Sequence, residues 1–228
     1  MLKIEGLKAA YGEIEVLHGI DVEVSEGEIV AVIGANSSGK STMLTCISRL
    51  MPVTGGKITF CGTDITHMKP EEVVNLGLIQ CPEGRQLFPR LTVRENLELG
   101  AFCKRARNDK EKTLEQVFTF LPRLKERENQ YGGLLSGGEQ QRVSFARAMA
   151  NNPKIIIADE PTANVDPELT FEIMNLLMKF NKMGKTVIVI THERNIVDYF
   201  KKRVITINKG KIEEDTASRI GGTVNASL

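Results

Sequence analysis

The sequence predicts an α/β fold with a mainly parallel sheet that is covered by helices on both faces. Two observations support this fold class. The run Ile29–Ile33 is short and wholly apolar, as expected of a strand that is buried on both sides. In the second half of the chain, from Ser136 onward, helix-like and strand-like segments alternate at the spacing of βα units.

The first part of the chain is predicted to consist of short strands and one helix. The predicted strands are Leu2–Leu7, Gly19–Val24, Ile29–Ile33, Lys57–Phe60 and Leu76–Ile79. The helix is predicted after the glycine-rich loop that follows the third of these strands, because apolar residues recur there on one helical face, at Met43, Leu44, Ile47 and Leu50.

From about Gly84 to Leu134 the strand-like runs stop and charged residues become frequent. Helical patterns such as Thr113–Leu121 dominate there, which predicts an inserted helical subdomain. Beyond it, helices are predicted up to Ala150, at Leu169–Met183 and at Asn195–Phe200, and strands at Ile155–Asp159, Thr186–Thr191, Arg203–Ile207 and Lys211–Glu213. The glycines and small polar residues from Thr216 onward predict a loose tail.

The composition excludes several classes of protein. The 228 residues are 41% hydrophobic and 26% charged, which is ordinary for a globular protein with a sizeable core. The 30 Lys and Arg residues nearly balance the 29 Asp and Glu residues, so no nucleic-acid partner is expected. No apolar run is long enough to span a bilayer and no signal peptide is recognised, so any membrane role is expected to act through a partner. The four scattered cysteines favour reduced, structural thiols over a metal site.

A glycine-rich loop follows the third predicted strand and opens the next helix, which is the context that a phosphate-binding P-loop requires. The loop reads Gly34-Ala35-Asn36-Ser37-Ser38-Gly39-Lys40-Ser41-Thr42. Gly34 lets the chain leave the strand sharply, and Gly39 lets backbone N–H groups approach a phosphate. Lys40 can neutralise the β- and γ-phosphates, Ser41 can coordinate Mg²⁺, and Thr42 can donate to the α-phosphate side.

A later strand ends on two carboxylates, Asp159 and Glu160. Asp159 fits a role at Mg²⁺ through water, while Glu160 is expected to point the other way and to polarise an attacking water. Two solvated acids at a strand end would be a fair alternative only without the P-loop. His192 follows the next strand, where its imidazole could contact the γ-phosphate; a structural histidine is the alternative.

The run LSGGEQQ, residues 135–141, contains a capping box in which Ser136 and Glu139 cap the start of a helix. Gly137 and Gly138 leave the first amides of that helix unshielded, and the helix dipole favours an anion there. An ordinary capped helix is the alternative interpretation. Together with the P-loop and the two carboxylates, the run predicts that ATP is sandwiched between two copies of the chain.

Two further residues have more than one interpretation. Tyr11, in a loop before the second strand, is expected to stack on adenine, which needs only an aromatic face; packing is the alternative. Asp166 can cap the helix that Pro167 begins, or couple the two sites of a dimer. His18 and His67 have no comparable setting, and no role is assigned to them.

Together the motifs resemble the ATP-binding subunits of ABC transporters over nearly the whole chain. The resemblance implies a P-loop NTPase (ABC ATPase) core with a mainly parallel sheet, an antiparallel β-subdomain and an inserted helical subdomain. The implied division is a first part of the ATP-binding core at residues 1–83, the helical subdomain at 84–135, the second part of the core at 136–215 and a flexible tail at 216–228.

The same resemblance implies the roles of the site residues. Tyr11 would contact adenine, Gly34–Thr42 would bind the phosphates and Mg²⁺, and Asp159 would lie near Mg²⁺. The implied catalytic residues are Lys40, Glu160 as general base and His192 as the γ-phosphate switch. The helix start at Ser136, Gly137, Gly138 and Glu139 would complete the site of the partner.

Two subfamilies are recognisable in different parts of the chain. Up to LSGGEQQ it is similar to the branched-chain amino-acid importer ATPases (the LivF type), above all in Pro82–Val93. After that motif it resembles the cell-division ATPases of the FtsE type, notably in Glu160–Pro167 and Glu172–Leu177. LivF-type chains usually lack an acid at the position of Asp166 and a histidine at that of His192.

Two residues depart from the broad family pattern. Glu83 stands where most members carry a glutamine that links the γ-phosphate to the transmembrane partner; the LivF type shares this glutamate, and Glu83 is assigned to the metal site. Ser37 stands where the family usually has glycine. If that position needs a positive φ, serine would cost roughly 1–2 kcal/mol of backbone strain and hydrolysis would be slow.

The resemblance therefore implies an ATPase, with ATP and Mg²⁺, that powers the import of a solute such as a branched-chain amino acid through a transmembrane permease. An FtsE-type role in cell division is the alternative, and the LivF-like docking region around Glu83 favours import. The expected assembly is a homodimer, or a heterodimer with a related ATPase subunit, peripheral on the cytoplasmic inner face of the cell membrane. A soluble ABC ATPase acting on DNA or ribosomes fits this length poorly, and Ser37 raises the further possibility of an ATP binder that does not hydrolyse.

Overall fold

The computed structural model describes residues 1–84, 86–163, 165, 167–193, 197 and 202–217. In this part of the chain the strands are β1 (Leu2–Tyr11), β2 (Ile14–Val24), β3 (Ile29–Ile33), β4 (Gly55–Phe60), β5 (Thr63–Asp64), β6 (Leu78–Cys81), β7 (Ile155–Asp159), β8 (Thr186–Ile190), β9 (Arg203–Asn208) and β10 (Lys211–Asp215). The helices are α1 (Lys40–Ile47), α2 (Pro70–Leu76), α3 (Val93–Gly100), α4 (Lys104–Arg107), α5 (Lys110–Phe120), α6 (Pro122–Glu126), α7 (Gly137–Ala150) and α8 (Pro167–Lys182).

The strands form two sheets. β2, β1, β4 and β5 lie in that order in an antiparallel sheet. The other sheet has the order β10-β9-β3-β8-β7-β6 and is parallel except for the hairpin of β9 and β10. Its central strands β7 and β8 are buried at every residue, as their continuous apolar composition predicts. The predicted α/β class and the mainly parallel sheet are confirmed.

The parallel sheet separates two hydrophobic cores. One core packs α3, α5, α7 and α8 against one face of the sheet, and the other packs α1 and the antiparallel sheet against the opposite face. The helices between β6 and α7 are joined closely to the rest of the fold. A Cβ on Gly100 of α3 would lie 2.0 Å from the carbonyl oxygen of Arg147 on α7, so only glycine allows these helices to approach so closely.

Some predicted boundaries were wrong. Leu50 was expected on the buried face of the first helix, but α1 ends at Ile47, Arg49 takes a left-handed φ of 61°, and Leu50 is 64% exposed. The strand predicted from Leu76 starts at Leu78, because α2 runs to Leu76 and Gly77 ends it at φ 99°.

Other predictions fall wholly or largely on residues outside the description, namely the helix Asn195–Phe200 and most of the tail after Thr216. Among the helices that are described, none combines the length and the apolar composition that a bilayer crossing needs.

Candidate nucleotide site

The predicted site residues meet at one edge of the parallel sheet. β8 pairs with β3 on one side and with β7 on the other, all in parallel, so the segments that follow these three strands leave the sheet side by side. The glycine-rich loop follows β3, Asp159 ends β7, and His192 lies two residues beyond β8. The sheet order thus brings together residues that are more than a hundred positions apart in the sequence.

The loop after β3 has a backbone that side chains would obstruct. A Cβ on Gly34 would lie 2.2 Å from the carbonyl oxygen of Ile207, and Gly39 adopts φ 107° with its Cβ position 2.9 Å from Leu17 Cδ2. Ser37 has a φ of 63°. The positive φ on which the strain argument for Ser37 depends is therefore present, in the region that favours glycine.

Lys40 is buried at the start of α1 and folds back over the loop. Its Nζ donates hydrogen bonds to the carbonyl oxygens of Gly34 at 2.7 Å and Ala35 at 2.9 Å. Burial lowers the pKa of Lys40, while the charges of Glu160 and Asp159 oppose that shift. The ammonium group therefore lies at the loop, in the electrostatic field of the two carboxylates.

Asp159 is 8% exposed at the end of β7. Burial, together with the charges of Glu160 and Glu83, raises its pKa to about 6, and the charge of Lys40 opposes this shift. Glu83 follows β6, the neighbour of β7, so the structure brings this third carboxylate to the same edge. Three acids around one lysine form a site with excess negative charge, which a cation would relieve.

Glu160 and His192 are in direct contact. The imidazole Nδ1 lies 3.0 Å from Oε1 of Glu160, and this hydrogen bond, with the negative charge of Glu160, raises the pKa of His192. Glu160 itself has a left-handed φ of 43°. His192 was predicted to contact the γ-phosphate from a strand end beside that of Asp159; the strands are neighbours as expected, but the contact with Glu160 was not predicted.

Three polar atoms at this edge are buried and have no hydrogen-bond partner among the described residues: Ser38 Oγ, Asp159 Oδ1 and Glu160 Oε2. Such atoms are costly to bury unless a ligand satisfies them. The hydroxyl suits a phosphate oxygen, and the carboxylate oxygens suit metal-bound or attacking water. No group of three or more His, Cys, Asp or Glu side chains in the described chain can hold a metal by itself, so Mg²⁺ would need phosphate oxygens as further ligands.

The start of α7 has the predicted capping box. Ser136 Oγ accepts from the Glu139 N–H at 3.4 Å, and Glu139 Oε2 accepts from the Ser136 N–H at 2.8 Å. Ser136 is exposed, and a Cβ on Gly138 would lie 2.9 Å from Leu169 Cδ2. The second glycine therefore serves close packing as well as leaving amides unshielded.

The remaining predicted residues are peripheral. Tyr11 is the last residue of β1, opposite Ile14 across the hairpin, rather than part of a loop, and its ring is 57% exposed. Asn36 and Ser41 are exposed, whereas Thr42 is buried in α1. Asp166 lies outside the described residues, so neither of its two interpretations has a geometry to compare.

Comparison with known proteins agrees with this geometry. The family model described as ABC transporter matches residues 17–163. The chain is 37% identical to the glutamine transport ATP-binding protein GlnQ of Escherichia coli (strain K12), over 94% of this chain and 90% of that protein. It is 34% identical to the high-affinity branched-chain amino acid transport ATP-binding protein BraG of Pseudomonas aeruginosa, over 93% and 91%. It is 38% identical to the cell division ATP-binding protein FtsE of Bacillus subtilis (strain 168), over 94% and 96%.

Solved structures give the same result. The ATP-binding cassette MJ1267 in its ADP conformation has a TM-score of 0.85 and 28% identity, over 94% of this chain and 90% of that one. The dimeric post-hydrolysis state of the cassette MJ0796, bound to ADP and Pi, has a TM-score of 0.82 and 33% identity, over 94% and 97%. This chain belongs to the ABC transporter family, in which it is an ATP-binding and ATP-hydrolysing subunit.

Proposed function

We propose that this ATPase powers the import of an amino acid, of the branched-chain kind or similar, through a transmembrane permease. An apolar groove beside the ATP site is the observation that carries this proposal. The groove has a volume of about 400 Å³ and lies between β6, α3 and α7. Phe88, Leu99 and Phe102 line it, and each of the three is more than 40% exposed.

Glu83 connects the groove to the carboxylates of the ATP site. Pro82 lines the groove, and the next residue is Glu83, whose charge acts on Asp159. A permease segment that entered the groove would press on the backbone that carries Glu83. This continuity supports a docked membrane partner whose movement is linked to the ATP site, and exposed apolar surface of this kind favours protein contact.

The names of the relatives support import, and they also support a second candidate function. GlnQ and BraG are named for amino-acid transport, and FtsE is named for cell division. Relatives of both kinds match more than nine tenths of the chain. An FtsE-type ATPase that regulates a membrane partner is therefore the second function, and the LivF-like stretch around the groove favours the first.

In the proposed site the loop Gly34–Thr42 cradles the phosphates with its backbone N–H groups, and Tyr11 stacks on adenine. Lys40 turns from the loop carbonyls to the β- and γ-phosphates. Ser41, Asp159 and Glu83 would hold Mg²⁺, which would supply charge neutralisation at the phosphates.

The base and the partner complete the proposed reaction. His192 holds Oε1 of Glu160, which leaves Oε2 to accept a proton from the attacking water. A second copy, or a related subunit, places Ser136, Gly137, Gly138 and Glu139 against the γ-phosphate, so that each ATP lies between two chains.

The Glu160→Gln variant tests the chemistry. The amide keeps the shape of the carboxylate but cannot take a proton, so steady-state ATP hydrolysis should be abolished while ATP-bound dimers persist in size-exclusion chromatography. Unchanged hydrolysis would remove Glu160 from the role of general base.

Capture from native membranes distinguishes the two biological roles. The tagged chain should recover a multi-span permease if it drives import, and a cell-division membrane protein if the second candidate is right. Phe102→Asp places a charge in the groove and should abolish capture. Leu50→Asp is the matched control, since Leu50 is equally apolar and exposed but lies outside the groove.

A further inference from the structure

We propose that Gln141 is a positioning residue for Glu160: it holds the turn that follows Glu160 and thereby fixes the direction of that carboxylate. The inference rests on the proposed role of Glu160 as general base. Gln141 lies one turn beyond the capping box on α7 and is 6% exposed. Its side-chain Nε2 donates to the carbonyl oxygen of Pro161 at 3.0 Å.

The backbone of Glu160 needs such support. Its φ of 43° lies in the left-handed region, which a residue with a side chain occupies only when its surroundings hold it there. The same residue carries a buried carboxylate oxygen, Oε2, that has no hydrogen-bond partner in the described part of the chain. A relaxation of this backbone would swing the carboxylate away from the line along which water must attack.

Backbone hydrogen bonds hold the first part of the turn. The Glu160 N–H donates to the carbonyl oxygen of Ile190 at 2.9 Å, which ties the turn to β8. The Ala163 N–H donates to the carbonyl oxygen of Glu160 at 3.1 Å, which closes the turn. Neither bond is made by a polar group of the peptide between Pro161 and Thr162 itself.

Side chains restrain that peptide from two sides. Gln141 reaches the Pro161 carbonyl from α7, and Pro161 is itself buried. On the other side Thr162 Oγ1 donates to Oε1 of Glu193, the residue after His192, at 3.3 Å. Loss of the Gln141 donor would leave the Pro161 carbonyl in a dry environment without that bond, and the turn would rotate to find another partner.

The Gln141→Met variant is the primary test, because methionine has a similar length and volume but no N–H donor. We expect kcat to fall about tenfold, with the half-saturating ATP concentration changed by less than about twofold, as for an interaction made only in the transition state. A matched control is Asn181→Leu. Asn181 also donates its side-chain amide to backbone carbonyls, those of Gly27 and Lys185, but lies away from the site. The Asn181→Leu variant should have a lower melting temperature than the parent and an unchanged kcat.

A double variant separates positioning from general structure. In single-turnover measurements on Glu160→Gln, adding Gln141→Met should give no further loss, because the group that Gln141 positions has already lost its function. Gln141→Glu provides a second arm that does not depend on the methionine variant folding well. Its carboxyl can donate to Pro161 only when protonated, so its rate relative to the parent should rise as the pH falls from about 8 to about 6.

The outcomes distinguish this inference from the proposed function. An unchanged kcat in Gln141→Met, or an equal loss in the Glu160→Gln background, would overturn the positioning role while Glu160 kept its own. Full turnover in Glu160→Gln alone would overturn the proposed base, whatever Gln141 does.

Discussion

His192 Nδ1 lies 3.0 Å from Glu160 Oε1, and the two residues follow the neighbouring parallel strands β8 and β7. The contact orients one carboxylate oxygen, and the other, Oε2, has no partner among the described residues. An oriented carboxylate with one free oxygen is the arrangement that a general base requires. The contact also makes the region sensitive to pH, because one of its members is a histidine, whose pKa the contact raises.

The first prediction concerns this pH dependence. Glu160 raises the pKa of His192 above its ordinary value of 6.5. A group whose pKa is raised on folding contributes stability below its unfolded pKa and loses it as the pH rises through the folded pKa. The melting temperature of the nucleotide-free chain should therefore exceed that of His192→Asn by more at pH 6 than at pH 8.5. In a Glu160→Gln background, the gap in melting temperature between the chains with and without His192→Asn should be the same at pH 6 and at pH 8.5. A gap that still depends on pH there would mean that the effect arises elsewhere.

The second prediction concerns Asp159, whose pKa is raised like that of His192 but chiefly by burial. Its pKa is raised to about 6 from 3.8, chiefly by burial, so the folded chain favours the neutral carboxyl and becomes less stable as the pH rises through that range. Asp159→Asn imitates the neutral form. In urea unfolding without nucleotide it should be more stable than the parent at pH 8, by on the order of 1–3 kcal/mol, and nearly equal at pH 4.

The same variant should lose Mg²⁺-dependent ATP hydrolysis, since it lacks the proposed metal ligand. Stability gained together with activity lost would show that this carboxylate is kept for function at a cost in stability. A variant that is less stable at pH 8 would contradict the electrostatic account.

The sequence predicted local features well and their mutual contacts poorly. The bounds of β3 and β7 were predicted correctly, because their continuous apolar runs end abruptly at a glycine and at acids. The capping box at Ser136 was equally local. The strand before His192 was expected beside the strand that ends at Asp159, and this is confirmed, but the contact of His192 with Glu160 was not predicted, because it depends on the local backbone at Glu160, where φ is 43°.

The exposure of side chains at the ends of helices and strands could not be predicted from the sequence pattern either. Leu50 continues the apolar periodicity of α1, but the helix ends at Ile47 and the chain turns at Arg49. Leu50 therefore does not lie on the buried face of the helix. Tyr11 and Ile14 extend the first hairpin beyond the predicted strands, because backbone pairing continues although both side chains are exposed. Hydrophobic periodicity predicts which face of a segment is buried, but it does not predict at which residue the tertiary contacts of that segment end.

The third prediction concerns Arg203 on β9, whose side chain is 12% exposed. Its guanidinium bonds Asp215 through two nitrogens, at 2.8 and 2.6 Å, and also meets Glu28 at 3.1 Å. Arg203→Met would leave Asp215 and Glu28 without this partner and should lower the free energy of unfolding by about 2–4 kcal/mol in urea titrations. Lys3→Met, which removes an exposed pair with Glu5, should leave the free energy of unfolding nearly unchanged.

The loss in Arg203→Met should itself depend on pH. The hydrogen bond from Arg203 lowers the pKa of Asp215 below 3.8, so this part of the stability is present above that pH and is lost as the pH falls through the folded pKa. The gap between parent and variant should therefore narrow in strong acid. A gap that stays constant would assign the loss to packing of the arginine stem instead.

The fourth prediction concerns Ser37 in the phosphate loop, where φ is 63°. Ser37→Gly removes about 1–2 kcal/mol of backbone strain but makes the unfolded chain more flexible, so the free energy of unfolding should rise by no more than about 1 kcal/mol. Steady-state ATP turnover should rise as well, because the loop can then follow the phosphates without a strained side chain.

Cys61→Gly is the matched control for this variant. Cys61 has a φ of 49° in the turn between β4 and β5, so glycine relieves the same kind of strain outside the phosphate loop. A gain in stability for both variants with faster turnover for Ser37→Gly alone would locate the limit on hydrolysis in the loop itself. Equal turnover in Ser37→Gly and the parent would mean that the strained serine is tolerated throughout the catalytic cycle, and the explanation of slow hydrolysis by strain would fail.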